Sequence, residues 1–264
     1  MRFLVSASPA TTQFPVRVFG GPTALFEYGG LRFLTDPTFD APRTYPAPPG
    51  APALTKTAPS TGTPADLGPV DVVLLSHDEH DDNLDNAGRA LLADIPLTLT
   101  TTGGGARLGK KAKGLADWES IELDRPGGGT LTVTAVPAIH GPGTREEVEP
   151  IAGQVIGFVL TGEDLPTVYV SGDNASLDAV REIAERFTPI DTAILFAGAP
   201  RFAEIFDGGL IVLDSAQAAE ATEILGARRV VPVHFDSWSH FTEGRDELEA
   251  AFTAAGLADR LQLS

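Results

Sequence analysis

The apolar run Val70-Asp71-Val72-Val73-Leu74-Leu75 stops abruptly at Ser76-His77-Asp78-Glu79-His80-Asp81-Asp82-Asn83-Leu84-Asp85, where two histidines arrive among five acidic residues. A short β-branched and leucine-rich run bounded by turn residues reads as a buried strand, and residues 84–92 read as a helix. The loop between them therefore carries imidazoles and carboxylates between two rigid elements, an arrangement suited to metal ligands. A solvated polar loop is the alternative. Histidines three residues apart amid carboxylates are uncommon in such loops.

The chain has five histidines in all, and the other three are His140, His234 and His240. His140 follows the strand-like run Leu131-Thr132-Val133-Thr134-Ala135-Val136 and its short extension Pro137-Ala138-Ile139. His234 follows Val230-Val231-Pro232-Val233, and Asp173 follows Val168-Tyr169-Val170-Ser171-Gly172, where a glycine permits close backbone approach. Four expected strands thus end in a histidine or aspartate. Convergence of strand ends on one metal-binding edge accounts for that placement; taken singly, His140 and His234 also read as hydrogen-bonded structural histidines.

Composition removes several alternatives. Without cysteine, thiolate metal sites, disulfide scaffolds and cysteine nucleophiles are excluded, so any metal is held by His, Asp and Glu. A formal charge of −17 argues against a nucleic-acid backbone as partner. Lys110, Lys111 and Lys113 form the one tight basic cluster and read as a solvated helix face. No apolar run reaches the roughly 18–20 residues of a membrane span, and residues 1–7 do not support a secretory signal, so the expected location is cytoplasmic.

Along the chain, three short apolar runs near 16–19, 24–28 and 31–35 read as an antiparallel meander, with Gly29-Gly30 as a two-residue hairpin turn and Asp36-Pro37 closing the third strand. Residues 37–69 are proline-rich and aperiodic, which suggests a binding loop or lid within one domain spanning 1–264; a domain boundary is the rival reading. Further strands are expected at 97–100, 120–123, 130–136, 154–160, 167–170, 192–196 and 229–233. Helices are expected at 176–186, 215–225 and 243–255, with Ser176, Asp214 or Ser215, and Thr242 as N-caps. Thr101-Thr102-Gly103-Gly104-Gly105 reads as a strand-to-helix turn, since the Lys and Ser/Thr spacing of a nucleotide loop is absent. The order implies an α+β fold, two sheets face to face with helices outside, an αββα four-layer sandwich.

At these residues the chain resembles the metallo-β-lactamase fold. The likeness is to the branch similar to L-ascorbate-6-phosphate lactonase and the N-acyl phosphatidylethanolamine phospholipase D-like hydrolases. Leu34-Thr35-Asp36-Pro37 resembles that branch's first strand end, and Leu75-Ser76-His77 through Leu84-Asp85 its H-x-H-x-D-H motif. Ala135 through His140 resembles its third motif, Ser171-Gly172-Asp173 its bridging aspartate and Val231-Pro232-Val233-His234-Phe235 its final histidine. The first motif departs from the pattern, because His77-Asp78-Glu79-His80-Asp81-Asp82-Asn83 is one residue longer. Aligned from the strand, His77 and Glu79 take the first two places. Aligned from the helix, Asp78, His80, Asp82 and Asn83 take the four places. A bulged compromise is preferred, with His77 and His80 both ligating, Asp82 as the motif aspartate, and Asp78 as a neighbour or substitute ligand.

The resemblance implies a soluble metal-dependent hydrolase acting through metal-bound hydroxide on a lactone, ester or phosphodiester of a small molecule. His77, His80 and His140 would hold one divalent ion; Asp173 would bridge to a second held by Asp82 and His234. Zinc is the first expectation, with manganese or iron as alternatives and one ion or two. Asp82 would orient the nucleophile, His240 would assist at the leaving group, and Asp36 would fix a ligand tautomer. Asn83, standing where the motif has its last histidine, would weaken the second position. The alternative function is a non-catalytic metal- or ligand-binding module. A homo-oligomer is compatible with the sequence, which does not specify one.

Overall fold

The computed structural model describes residues 14–47 and 51–263. The expectations for residues 1–7 and for 48–50 within the proline-rich loop lie outside them. The strands in chain order are β1 (Val16–Gly20), β2 (Thr23–Tyr28), β3 (Leu31–Thr35), β4 (Arg43–Thr44), β5 (Thr55–Lys56), β6 (Val72–Leu74) and β7 (Leu97–Thr101). They continue as β8 (Ala112–Leu115), β9 (Ser120–Asp124), β10 (Thr130–Pro137), β11 (Ile156–Gly162), β12 (Val168–Val170), β13 (Thr192–Phe196) and β14 (Arg229–Val233). The helices are α1 (Asn86–Leu91), α2 (Thr102–Leu108), α3 (Arg145–Ala152), α4 (Leu177–Phe187), α5 (Ser215–Ile224) and α6 (Arg245–Ala254).

Two six-stranded sheets form, in the orders β1-β2-β3-β6-β7-β8 and β14-β13-β12-β11-β10-β9. Their opposition follows from the period-2 alternation of apolar side chains. On β2, Ala24, Phe26 and Tyr28 enter the core between the sheets, while Leu25 faces the outer core of its own sheet. On β13, Ile194 and Phe196 face inward and Ala193 and Leu195 face out toward α4, α5 and α6. Helices therefore cover the outer face of the second sheet, and Leu84, Leu92 and Ile95 around α1 cover the outer face of the first. This is the expected αββα sandwich.

The meander is present, with Gly29 and Gly30 both at positive φ, 61° and 87°, as a tight turn between right-twisted strands requires. From β3 onward the first sheet becomes parallel through β6, β7 and β8, and β12, β13 and β14 are parallel in the second. Parallel neighbours finish on the same edge of a sheet. That edge receives Asp36 after β3, His77 after β6, Asp173 after β12 and His234 after β14. Since β10 and β12 both pair antiparallel with β11, β10 points the same way and delivers His140 there too.

Some local expectations need correction. Lys110 and Lys111 lie in the turn after α2 and Lys113 lies on β8, so the basic cluster is exposed on a turn and an edge strand rather than a helix face. Gly244, not Thr242, is the N-cap of α6, while Ser176 and Asp214 cap α4 and α5 with side-chain bonds to Ala179 N and Gln217 N. The glycine triplet lies inside α2, where close packing explains it: a Cβ on Gly105 would come 2.3 Å from Gly114 N on β8. Helix α3 and strand β8 were not expected. The proline-rich stretch contains the small hairpin β4–β5 and a 3-10 turn at Pro64–Asp66.

Candidate metal centre

His77, His80 and His140 each offer a ring nitrogen within 4.8 Å of the others', and Asp82, Asp173 and His234 do the same with their ligand atoms. The three imidazoles of the first group have centroids 4.6–5.4 Å apart. His77 and His140 are buried, His80 is partly open, and all three second-group residues are buried. Asp173 faces both groups, with Oδ2 3.6 Å from His140 Nε2 and Oδ1 3.4 Å from His234 Nε2.

Local backbone explains how each side chain gets there. Gly172 adopts φ 59°, and a Cβ there would lie 2.6 Å from Ile156 O and 2.8 Å from Ser76 Cβ, so the turn delivering Asp173 passes too close to its neighbours for a side chain. His234 itself has φ 58° and donates its N–H to Gly21 O at 2.7 Å. A non-glycine residue held in that region costs about 1–3 kcal/mol. His140 is oriented by Nδ1, 2.7 Å from Ile211 O, which leaves Nε2 toward Asp173.

His77 is set by Ser76. The Ser76 N–H and hydroxyl both donate to Asp36 Oδ1, at 2.9 and 2.7 Å, and Ser76 Oγ lies 3.0 Å from His77 Nδ1. With its one proton given to Asp36, the hydroxyl accepts from Nδ1–H, so His77 presents Nε2, 2.8 Å from His80 Nδ1. Asp36 therefore reaches a cluster histidine only through Ser76, a correction to the direct contact expected of it. Ser76 was not singled out in the sequence, although its place between a strand end and the first histidine is a signal.

In the loop, His77 and His80 converge while Asp78 turns away. Arg107 grips the Asp78 carboxylate from Nε at 3.0 and 3.1 Å and from Nη2 at 2.5 Å, and Arg89 donates to its carbonyl at 2.7 Å. Asp78 thus joins neither cluster and anchors the loop instead. Asn83 donates from Nδ2 to Asp173 Oδ1 at 3.2 Å, and its buried Oδ1 has no partner among the described residues. His240 Nε2 lies 2.9 Å from Asp82 Oδ2, with its ring against Phe202 and Phe241.

The electrostatics suit a cation. Burial and the neighbouring His80 hold His77 well below the ordinary imidazole value, and burial holds His140 down as well, so both are neutral at neutral pH. Burial alone would raise Asp82 and Asp173, but His240 and His234 beside Asp82, and His234 and His140 beside Asp173, keep both carboxyls far below the carboxylate range. Burial would lower His234; Asp173 and Asp82 outweigh it and raise that imidazole. His234 Nε2 is buried and forms no hydrogen bond among the described residues, although two carboxylates lie 3.4–3.5 Å away. Neutral imidazoles and ionised carboxylates are the protonation states that divalent ions take, and His234, held toward its protonated form by the two carboxylates, would give up that proton on binding one.

A sequence family described as a beta-lactamase superfamily domain matches residues 31–235. The chain belongs to that family. Among its relatives, a "UPF0173 metal-dependent hydrolase" from Methanosphaerula palustris is 29% identical over 185 residues, covering 69% of this chain and 75% of the relative. Of solved structures, an isothiocyanate hydrolase from Delia radicum gut bacteria superposes with a TM-score of 0.76 at 22% identity, covering 94% of this chain and 95% of that one. A possible metal-dependent hydrolase from Veillonella parvula gives 0.78 at 18% identity, covering 96% and 97%. Those structures share the fold, and metal-dependent hydrolase is the enzyme class in which this beta-lactamase superfamily member falls. Among the described residues, no helix is long and apolar enough to cross a membrane.

Proposed function

We propose that the protein hydrolyses a lactone, ester or phosphodiester of a small molecule at the two clustered triads. The carrying observation is that the triads stand at the common edge of both sheets and that His80, Asp82 and His140 open into a cavity of about 550 Å³. A divalent ion held there would supply Lewis-acid polarisation of the scissile oxygen and activation of water at neutral pH. His77, His80 and His140 would hold one such ion, and Asp82, Asp173 and His234 would hold a second. Zinc suits the imidazole-rich triad, and manganese or iron suits the carboxylate-richer one.

Asp82 accepts from the nucleophile and orients it, while His240, 2.9 Å from the Oδ2 of that carboxylate, moves a proton toward the leaving group. The lactone, ester and phosphodiester classes rest on the likeness of the strand-end motifs to the lactonase and phospholipase D-like branch. Metal analysis and a substrate panel test the reading together. At least one ion per chain and turnover lost in His77→Ala and Asp173→Ala support it. Less than about 0.2 ion per chain after growth with Zn, Mn and Fe, or equal low activity of wild type and variants across the panel, would sink it.

Asn83 favours a second reading, a non-catalytic binding module, because its amide spends Nδ2 on Asp173 where an imidazole ligand belongs. On that reading chelation lowers the melting temperature and abolishes no turnover.

A further inference from the structure

The cavity before the triads is walled by Tyr45, Pro52 and Leu54 of the proline-rich segment, Ile151 of α3, and Phe202 and Ile211 of the segment after β13. Ile151 is 56% exposed, the one large hydrophobic side chain left so open among the described residues, and it stands at this cavity. An apolar side chain kept in water beside an apolar wall marks a surface that a ligand covers.

The charged groups of the lining away from the triads all have one sign: Glu79, Asp81 and Glu149. Among the described residues that line the cavity there is no lysine or arginine. The cations nearby are already engaged. Arg107 pairs with Asp78 and Glu79, Arg145 with Asp117 and Glu149, and Arg43 stacks over the Tyr45 ring beside Asp40. Asp81 forms no ion pair among the described residues. Arg107 and Arg145 touch Glu79 and Glu149, but each is shared with a second carboxylate, Asp78 and Asp117, so with Asp81 the wall keeps a net negative charge within the roughly 8 Å over which charges act at physiological salt. An anionic group there meets apolar carbon or like charge and finds no donor of opposite charge, and burying an unpaired charge is unfavourable.

Resting on the hydrolytic reading above, we propose that the site selects apolar substrates that are uncharged or cationic away from the scissile bond. Such substrates are lactones and esters with alkyl or aryl arms, in preference to molecules bearing an anion away from the scissile bond. Specificity of this kind is set by what the wall rejects as much as by what it attracts.

The test separates the anchor from the arm. Metal-loaded protein is titrated calorimetrically with acetohydroxamate, which needs only the ion, and with phenylacetohydroxamates bearing a para-methyl, para-aminomethyl or para-carboxylate group. The proposal expects the methyl and aminomethyl probes to bind at least about tenfold more tightly than the carboxylate at about 0.15 M salt. In Glu149→Gln, and separately in Asp81→Asn, the gap narrows. Binding of the carboxylate probe as tightly as the methyl probe, with acetohydroxamate still binding, overturns the charge selection and leaves the metal centre standing. Failure of every probe, acetohydroxamate included, overturns the hydrolytic reading and this inference with it.

Discussion

Asp36 and His77 are joined through a single hydroxyl, with Ser76 Oγ 2.7 Å from the Asp36 carboxylate and 3.0 Å from the His77 imidazole. The direction of the chain fixes the tautomer: hydroxyl to carboxylate, Nδ1–H to hydroxyl, Nε2 toward the cluster. Asp36 is buried at the end of β3 and Ser76 just beyond β6, so parallel pairing of these strands sets the relay's length. Such supporting contacts hold a ligand's orientation and basicity at some distance from the ion.

Removal of that hydroxyl is expected to weaken metal binding without removing a ligand. Ser76→Ala should lower affinity at the imidazole triad about 10–100-fold, as loss of comparable partners does elsewhere. Titration against a chromophoric chelator measures it directly. Unchanged affinity in a folded Ser76→Ala protein would show that His77 is oriented by packing alone.

The metal-free protein should be most stable near pH 6.5 as far as its cluster histidines are concerned. His77 and His140 are held below their ordinary 6.5, so below that pH the unfolded chain binds protons the folded one refuses, and stability falls with pH. Each contributes a slope of up to ~1.4 kcal/mol per pH unit. His234 has the opposite sign. Its raised value gives stability that is complete below 6.5 and lost as pH rises through the folded value. Asp82 and Asp173, held far below 3.8, contribute constantly throughout this window. Calorimetric melts of chelator-treated protein from about pH 5 to 8 should show the maximum. His77→Asn should flatten the acid side and His234→Asn the alkaline side; a melting temperature that ignores pH in all three proteins contradicts the assignment.

The residues that were legible are those whose signal is local. A β-branched run ending in His or Asp states both the strand and its end, and the alternation of Ala24, Phe26 and Tyr28 against Leu25 states which face is inside. Helix α3 was hidden because Gly141, Pro142 and Gly143 precede it and Pro150 stands within it. Strand β8, Ala-Lys-Gly-Leu, has no β-branched residue and is specified by its parallel pairing with β7. The place of Asp78 was unreadable for a related reason: Arg107, 29 residues away, holds its carboxylate away from both triads.

A second long-range contact governs the proline-rich segment. Lys56 on β5 is buried, with Nζ 3.4 Å from Asp85 Oδ2, 2.9 Å from Thr38 O and over the Trp238 ring. Asp85 caps α1 through Gly88 N and also accepts from Asp40 N at 2.6 Å. One ion pair thereby fastens the segment that walls the cavity to the helix that follows the metal loop. Lys56→Met leaves the Asp85 carboxylate buried without its cation and should cost about 3–5 kcal/mol, read from urea unfolding. Protease cutting within 37–69 should rise in the variant when both proteins are compared well below their melting temperatures. Equal cutting and a loss under about 1 kcal/mol would mean that Thr38, Asp40 and the aromatic contacts hold the segment unaided.

His240 provides the sharpest separation of chemistry from structure. Its Nε2 lies 2.9 Å from Asp82 Oδ2, the ring is held by Phe202 at 5.4 Å and Phe241 at 4.5 Å, and it belongs to neither triad. A residue in that position can move a proton through or past Asp82 without holding an ion. His240→Ala should therefore retain metal affinity within a few-fold and lower kcat by about 10²–10⁴, the range for loss of a general acid or base. His240→Gln keeps a donor to Asp82 but cannot carry a proton, so it should restore the melting temperature and leave kcat low. If glutamine restores turnover as well, His240 only orients Asp82, and the proton reaches the leaving group by another route.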